Sequence, residues 1–310
     1  MGRYIIKRLL MMIPVLICVS FVVYFLLDLA PGDIIAQMAP PDATPEQIEQ
    51  MKEELGLNGT IFERYFRYLK GLVRLDLGQS LSQKRPVWDI FLERIPKTME
   101  LAFGSIFVAL LIAIPLGILA ATHHRTWLDG VSMTTSMIGV SMPNFWFGLL
   151  LILAFSLHLK LLPSYGADDG LKSLILPAIT LGTEQAGTLT RITRSSMLEV
   201  IRQDYLRTAR AKGVPEKAVI RKHALKNALI PIITVLGSTL GNAFGGAVTT
   251  EAIFAWPGVG RLTVMAVNMR DYNLACGCII MFTLLLNVTL LVVDIAYAFV
   301  DPRIKARYSK

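Results

Sequence analysis

Hydrophobic and polar positions separate into long blocks along the chain. Charge-free apolar runs fill 9–27, 101–121, 131–157, 228–250 and 272–293, and 173–190 is a sixth run interrupted only by Glu184. A helix needs about 20 mostly apolar residues to cross a hydrocarbon core. The six runs therefore predict an all-α, polytopic membrane protein with six transmembrane helices. The polar stretch from Asp28 to Lys97 mixes acids and bases. This pattern divides the chain into a tail and first helix over 1–30, a large extracytoplasmic loop with short helices over 31–97, and a five-helix core over 98–310.

Inside the large loop, Thr44-Pro45-Glu46-Gln47 has the form of a capping box with Pro at the first helical position. Ile48, Met51 and Leu55 then share a helical face, and Gly56 ends the run. Phe62, Phe66, Leu69 and Val73 form a second apolar stripe at helical spacing. These helices are expected to pack on the membrane bundle at its outer mouth. Gly and Pro between Glu251 and Asp271 predict a turn or re-entrant segment.

Charge sets the orientation. Six spans place both termini on one side, and the short loops on that side carry 3, 1, 10 and 4 Lys/Arg, against 2 and 2 opposite. Loops longer than about 60 residues cross regardless of charge, so the first loop is left out. Both termini and the 191–227 loop are therefore expected in the cytoplasm. The first run is longer than a signal-peptide core and Leu29-Ala30-Pro31 is a poor cleavage site, so it reads as an uncleaved span.

The 191–227 loop holds ten Lys/Arg and three Asp/Glu. Asp204 is placed to cap a short helix over Tyr205–Lys212, Gly213 to end it, and Pro215 and Glu216 to begin another. Ala209 and Ala211 would let another protein surface approach closely. The alternative is a basic loop that touches lipid headgroups alone.

Asp204-Tyr205-Leu206-Arg207-Thr208-Ala209-Arg210-Ala211-Lys212-Gly213, continued by His223, Leu225, Asn227 and Pro231, resembles the "EAA loop" of membrane subunits of binding-protein-dependent ABC importers. The likeness is to the dipeptide/oligopeptide/nickel branch and its B-type peptide permeases. Arg207 stands where the general importer pattern has its first Glu, and Pro231 lies later than in that pattern. Both departures are typical of the peptide branch. Pro31-Gly32-Asp33, Leu55-Gly56-Leu57, Asp76-Leu77-Gly78-Gln79-Ser80, Arg85-Pro86-Val87, Ala255-Trp256-Pro257-Gly258-Val259-Gly260-Arg261, Arg270-Asp271-Tyr272 and Asp301-Pro302-Arg303 resemble the same branch. Leu75 departs from it, since the family tends to have Gly there.

The resemblance implies a bacterial or archaeal inner-membrane permease that carries di- or oligopeptides by alternating access. Nickel, metal chelates and glutathione are alternative cargoes. It also implies a second homologous permease in a heterodimer, two ABC ATPase subunits and an extracytoplasmic substrate-binding protein. Asp204, Tyr205, Arg207, Thr208, Ala209, Arg210, Ala211, Lys212 and Gly213 would form the coupling helix that docks on an ATPase. ATP and Mg would be held by those partners, and this chain is expected to bind no cofactor or metal.

Composition adds little to this. The chain has 310 residues, 54% of them hydrophobic, and a formal charge of +8. That charge sits beside apolar spans, which fits topology and anionic lipid rather than nucleic acid. Cys18, Cys276 and Cys278 lack zinc-site spacing and read as packing residues. His123, His124, Arg125 and Asp129 form a short loop.

Three residues are candidates for the substrate pathway. Glu184 in the fourth span is costly, since an acid at a bilayer centre loses about 2.5–3.5 kcal/mol. It either faces the pathway and favours cationic groups, or lies near the cytoplasmic end paired with Arg191 or Arg194. Asn144 and Trp146 follow Met142-Pro143, a kink that either turns the third span toward the pathway or is an ordinary Pro kink with an aromatic lipid face. Gly237, Gly241 and Gly245 recur on one helical face and suit contact with a partner permease or packing within the chain.

The chain has no G-x-x-x-x-G-K-[ST], H-E-x-x-H or G-x-S-x-G motif. It is therefore read as no enzyme, with ATP hydrolysis left to partner subunits. An ion-coupled secondary transporter would need coupling residues in broken helices, commonly with internal repeats, and shows only Glu184. An intramembrane enzyme would need a catalytic pair within the spans, and no such pair stands out.

Overall fold

The computed structural model describes residues 2–29, 40, 43–54 and 58–300, with the side chains of 2–4, 294 and 296–300 outside the description. Pro31-Gly32-Asp33, Leu55-Gly56-Leu57, Asp301-Pro302-Arg303 and the Asp294 side chain lie outside the described residues.

The described chain is helical, with one isolated bridge between Gln79 and Pro86. The helices are α1 (Gly2–Leu29), α2 (Pro45–Glu54), α3 (Ile61–Val73), α4 (Val87–Thr122), α5 (Trp127–Ser141), α6 (Asn144–His158), α7 (Leu171–Ile201), α8 (Asp204–Ala211), α9 (Glu216–Ile253), α10 (Val259–Asn268) and α11 (Tyr272–Val300). α6 and α9 carry π-helical stretches at Ile152–His158 and Val219–Ala224.

Among the described residues four helices are long and apolar enough to cross a membrane: α1, α4, α9 and α11. α5 and α6 make a fifth crossing only if taken as one, because they bend by 101° at Met142-Pro143. Proline lacks the N–H that would continue the ladder and clashes with the preceding turn. α7 has the length, at 31 residues, but its Thr, Glu and Arg content makes it polar. Many apolar side chains of α1, among them Leu10 and Ile13, are exposed on the chain itself, as lipid-facing residues are.

The chain divides into two compact units. The first takes residues 1–96 and 258–288. Its core gathers Tyr24 of α1, Tyr65 and Tyr68 of α3, Ile90 and Phe91 of α4, Val259 and Leu262 of α10, and Cys276 and Cys278 of α11. The capping box at Thr44 forms, with Thr44 N donating to Gln47 Oε1 at 2.9 Å and Gln47 N to Thr44 Oγ1 at 3.3 Å. A second box caps α3 through Thr60 and Glu63.

The buried face of α3 differs from the predicted stripe. Phe62, Phe66 and Val73 are exposed, whereas Tyr65, Tyr68, Ile61, Leu69 and Leu72 face the core. Tyrosine carries a large apolar ring, and its hydroxyl is accommodated where a partner exists. Tyr65 Oη donates to the Ile17 carbonyl at 2.8 Å. The segment expected as a turn or re-entrant stretch contains α10. Cys276 and Cys278 are core residues, but Cys18 is exposed.

The second unit takes 97–257 and 289–310. α7 is its centre, packed along α5 and α9. Glycines let the backbones meet. A Cβ on Gly187 would lie 2.4 Å from Ser136 O of α5, and one on Gly182 would lie 2.6 Å from Ser105 O of α4. Trp256 is fully buried, with its Nε1 donating to Lys97 O at 2.8 Å, and Thr98 Oγ1 donates to the buried Glu251 Oε1 at 2.7 Å.

Candidate functional site

Two parts of the second unit carry the residues singled out in the sequence. The first is α8 with the start of α9. α8 is amphipathic: Leu206 is fully buried among Met197, Val219, Ile220, Ala224 and Ala228, while Asp204, Arg207, Thr208, Ala211 and Lys212 are exposed. Ala209 is half-buried and packs on the same cluster, so Ala211 alone of the two alanines is fully open.

Two polar contacts tie α8 to α9. Asn227 Nδ2 donates to Tyr205 Oη at 2.6 Å, and Arg210 donates to Glu216 from Nε at 3.0 Å and Nη2 at 2.8 Å. The chain leaves α8 through Gly213 at φ +77°, with Gly213 N donating to Arg210 O and Val214 N to Ala209 O. Those bonds satisfy carbonyls that the helix end would orphan, and glycine adopts this backbone without a Cβ penalty.

Asp204 is not the cap expected from the sequence. Gln203 holds the cap position without a side-chain bond, and Asp204 is the first helical residue. Its carboxylate lies 3.8 Å from Arg207, in an exposed pair. From the first turn it still complements the helix dipole. Pro215 likewise sits one residue earlier than expected, at the cap of α9.

The second part is a pocket of about 400 Å³ formed by the start of α6, the middle of α7 and the glycine-rich part of α9. Asn144, Glu184, Gln185, Thr188, Thr239 and Asn242 line it, together with Gly241, Gly245 and Gly246. Asn144 Nδ2 donates to Glu184 Oε2 at 2.5 Å, so the break at Pro143 brings these two candidates together. Trp146 is exposed and is not among the lining residues. A Cβ on Gly246 would lie 2.8 Å from Leu181 Cδ1 and 3.9 Å from Glu184 Oε2. On the same helix, Gly237 and Gly241 face Val293 and Leu290 of α11, while Gly245 meets open space.

Arg194 does not pair with Glu184. It donates to Asp129 from Nε and Nη2, both at 2.7 Å. Arg125 N also donates to Asp129 Oδ2 at 3.1 Å, and His124 Nδ1 lies 3.2 Å from the same oxygen. This fork joins the first turn of α5 to α7, and Arg125 N ties the preceding loop to it. Reading the sequence missed it, because an acid 65 residues from its partner leaves no local signal. Among the described residues no group of three or more His, Cys, Asp or Glu is arranged to hold a metal ion.

Residues 113–306 match the family described as "Binding-protein-dependent transport system inner membrane component", and residues 1–102 match the N-terminal part of the same kind of transport-system membrane component. The chain is 41% identical to the glutathione transport system permease protein GsiC of Escherichia coli (strain K12), over 98% of this chain and 99% of that protein. It is 41% identical to the oligopeptide transport system permease protein AppB of Bacillus subtilis (strain 168), over 98% of this chain and all of that one. Its fold is like that of the MetNI methionine ABC transporter, with a TM-score of 0.59 at 18% identity over 68% of this chain and 96% of that one. This chain belongs to the family of binding-protein-dependent transport system inner-membrane components. It is a multi-pass inner-membrane permease of an ABC importer, in the branch that holds the glutathione and oligopeptide permeases.

Proposed function

We propose that this chain forms part of the translocation pathway for di- or oligopeptides, moved by alternating access that partner ATPases drive. The observation that carries the cargo is the likeness, over nearly the whole length, to a permease named for oligopeptides. An equal likeness to a glutathione permease favours glutathione, itself a small peptide, as the second reading. Six spans follow if α5 and α6 count as one broken crossing and α7 as a polar one. Both termini and α8 then face the cytoplasm, the side of the basic loop. The segments divide as tail and first span over 1–30, external loop over 31–97 and permease core over 98–310.

Asp204, Tyr205, Arg207, Thr208, Ala209, Arg210, Ala211, Lys212 and Gly213 form the coupling element. Leu206 and the Tyr205–Asn227 and Arg210–Glu216 contacts fix α8 to α9, so that a push on its outer face reaches the helix lining the pocket. Asn144 and Glu184 line the pathway. Trp146 stands outside the pocket in this structure and would reach the pathway only in another conformation. A homologous permease completes the pathway as a heterodimer, two ATPases hold ATP and Mg below, and a binding protein delivers cargo from outside.

The test is purification of this chain in mild detergent from its own membranes, with mass spectrometry of the protein and small-molecule fractions. Two ATPase chains, a second permease and a binding protein carrying a peptide are expected. A bound protein loaded with a metal chelate in place of a peptide would overturn the cargo. Repeated recovery of the chain alone after cross-linking would overturn the coupling role of α8.

A further inference from the structure

We propose that Glu184 sets a charge preference in this pathway, its carboxylate taking a protonated amine of the cargo so that cationic peptides pass faster than neutral ones of the same shape. The inference rests on the peptide-permease reading above. An acid in a membrane helix is expensive unless it is paired or functional. Pairing is the first thing to exclude. Arg191, about two turns further along the helix and the nearer base, is exposed, and Arg194 is engaged by both oxygens of Asp129. Among the described residues no ion pair to Glu184 is formed. Its one polar contact is a neutral amide, Asn144 Nδ2 on Oε2. The side chain is exposed on the chain, and among the described residues its Oε1 has no protein donor.

The pocket around it points the same way. Among the described residues that line it, Glu184 alone is charged. Gln185 lines the same pocket, and its Oε1 is buried without a hydrogen-bond partner. The orientation of that amide follows from its neighbour: Ser105 Oγ spends its proton on Ala102 O at 2.8 Å, so it can only accept from Gln185 Nε2, 3.5 Å away. The pocket thus holds the Glu184 carboxylate and, among the described residues, no cationic donor of its own. A ligand that matches it is a donor carrying positive charge, and an ammonium group is that donor in a peptide. Gly245 and Gly246 also line the pocket, and a Cβ on Gly245 would meet open space.

The test uses the whole importer in vesicles, with its ATPases, second permease and binding protein. Two peptides differ only in a lysine or its Nε-acetyl form, and each is supplied on saturated binding protein. Initial uptake is expected to favour the lysine peptide in the wild type, and Glu184→Gln to cut the lysine-to-acetyl-lysine ratio by about tenfold, the scale of one charge-assisted hydrogen bond. Glu184→Asp, which keeps the charge, is expected to retain most of the preference. Both peptides enter the same vesicles, so loss of folded importer lowers both rates and leaves the ratio. A wild-type ratio at or below one overturns the proposal without any variant, and so does a ratio that Glu184→Gln leaves unchanged. Wild-type vesicles that import neither peptide would remove the peptide reading itself, whereas unchanged ratios with brisk uptake remove only the role of Glu184.

Discussion

Ser80 and Asp271 are 191 residues apart in the chain, and the Ser80 hydroxyl donates to Asp271 Oδ2 at 2.6 Å. Asp271 is fully buried and also accepts from Ser82 N at 2.9 Å, Ser82 Oγ at 2.8 Å and, through Oδ1, Leu274 N at 3.0 Å. One carboxylate thereby caps the start of α11 and fastens the 76–87 loop to it. Replacing it leaves a buried serine hydroxyl and two backbone N–H groups without their acceptor. Asp271→Ala is expected to cost about 3 kcal/mol, and Ser82→Ala, which removes one exposed donor, about 1 kcal/mol. Thermal unfolding of the purified chain in detergent orders the two variants, and equal midpoints would refute the fastening role.

This loop also shows how much was legible beforehand. Asp76–Ser80 and Arg270–Tyr272 stood out separately in the sequence, but nothing local said that one closes on the other. The same holds for Arg194, whose partner Asp129 lies on a different helix. What local chemistry determines was readable: the capping box at Thr44, the break at Pro143, and the end of α8 at Gly213. The stripe on α3 was drawn through Phe62, Phe66, Leu69 and Val73 and left out the rings of Tyr65 and Tyr68, which with Ile61 and Leu72 make up most of the buried face. α10 was hidden by the Pro and Gly that precede it, which punctuate its start and do not interrupt it. Of the candidate pathway residues, Asn144 and Glu184 meet because the α5–α6 break swings one toward the other, a tertiary fact with no sequence signal.

The outer face of α8 predicts a separation of coupling from stability. Arg207 is exposed and makes only a loose 3.8 Å pair with Asp204, a kind of contact worth about 0–1 kcal/mol. Arg207→Glu should therefore leave the unfolding midpoint within about 2 °C of wild type. It should lower binding-protein-stimulated ATP hydrolysis of the reconstituted importer by about tenfold or more, because like or missing charge at a docking face mainly weakens association. Leu206→Ala is the contrasting variant. It empties a fully buried site and should cost about 2–4 kcal/mol as well as activity. If Arg207→Glu hydrolyses ATP at the wild-type rate on cargo delivery, α8 is not the docking face.

Gly187 tests the packing of α7. A Cβ there would fall 2.2 Å from Val140 Cγ2 and 2.4 Å from the Ser136 carbonyl oxygen. The valine can move, but the carbonyl belongs to the backbone of α5 and can yield only if the helices part. Gly187→Ala is expected to destabilise by about 2 kcal/mol or more, although alanine is the better helix former. Gly245→Ala, on the open face of α9, should be neutral or slightly stabilising by the same propensity. Paired unfolding curves decide it: a Gly187→Ala midpoint at or above that of Gly245→Ala would mean that α5 and α7 do not approach this closely.

Leu75 makes the reverse prediction. It adopts φ +60° and is 86% exposed, just after α3 ends. The left-handed region costs a side-chain-bearing residue about 1–2 kcal/mol, because its Cβ crowds the following carbonyl oxygen. Glycine has no such clash but gives up more freedom on folding, about 0.5–1 kcal/mol. The difference leaves Leu75→Gly stabilising by a few tenths to about 1 kcal/mol. No packing is lost to set against this, since the leucine side chain is exposed. Asp76 follows immediately, with its N–H donating to Gly71 O at 3.0 Å and its carboxylate accepting from Gly78 N at 2.8 Å, so the turn is held independently of residue 75. Leu75→Ala is the control that isolates the backbone from the side chain. Alanine keeps the Cβ and its clash, so it should unfold close to wild type while Leu75→Gly unfolds higher. If glycine lowers the midpoint below alanine, the left-handed turn at Leu75 is not the native one.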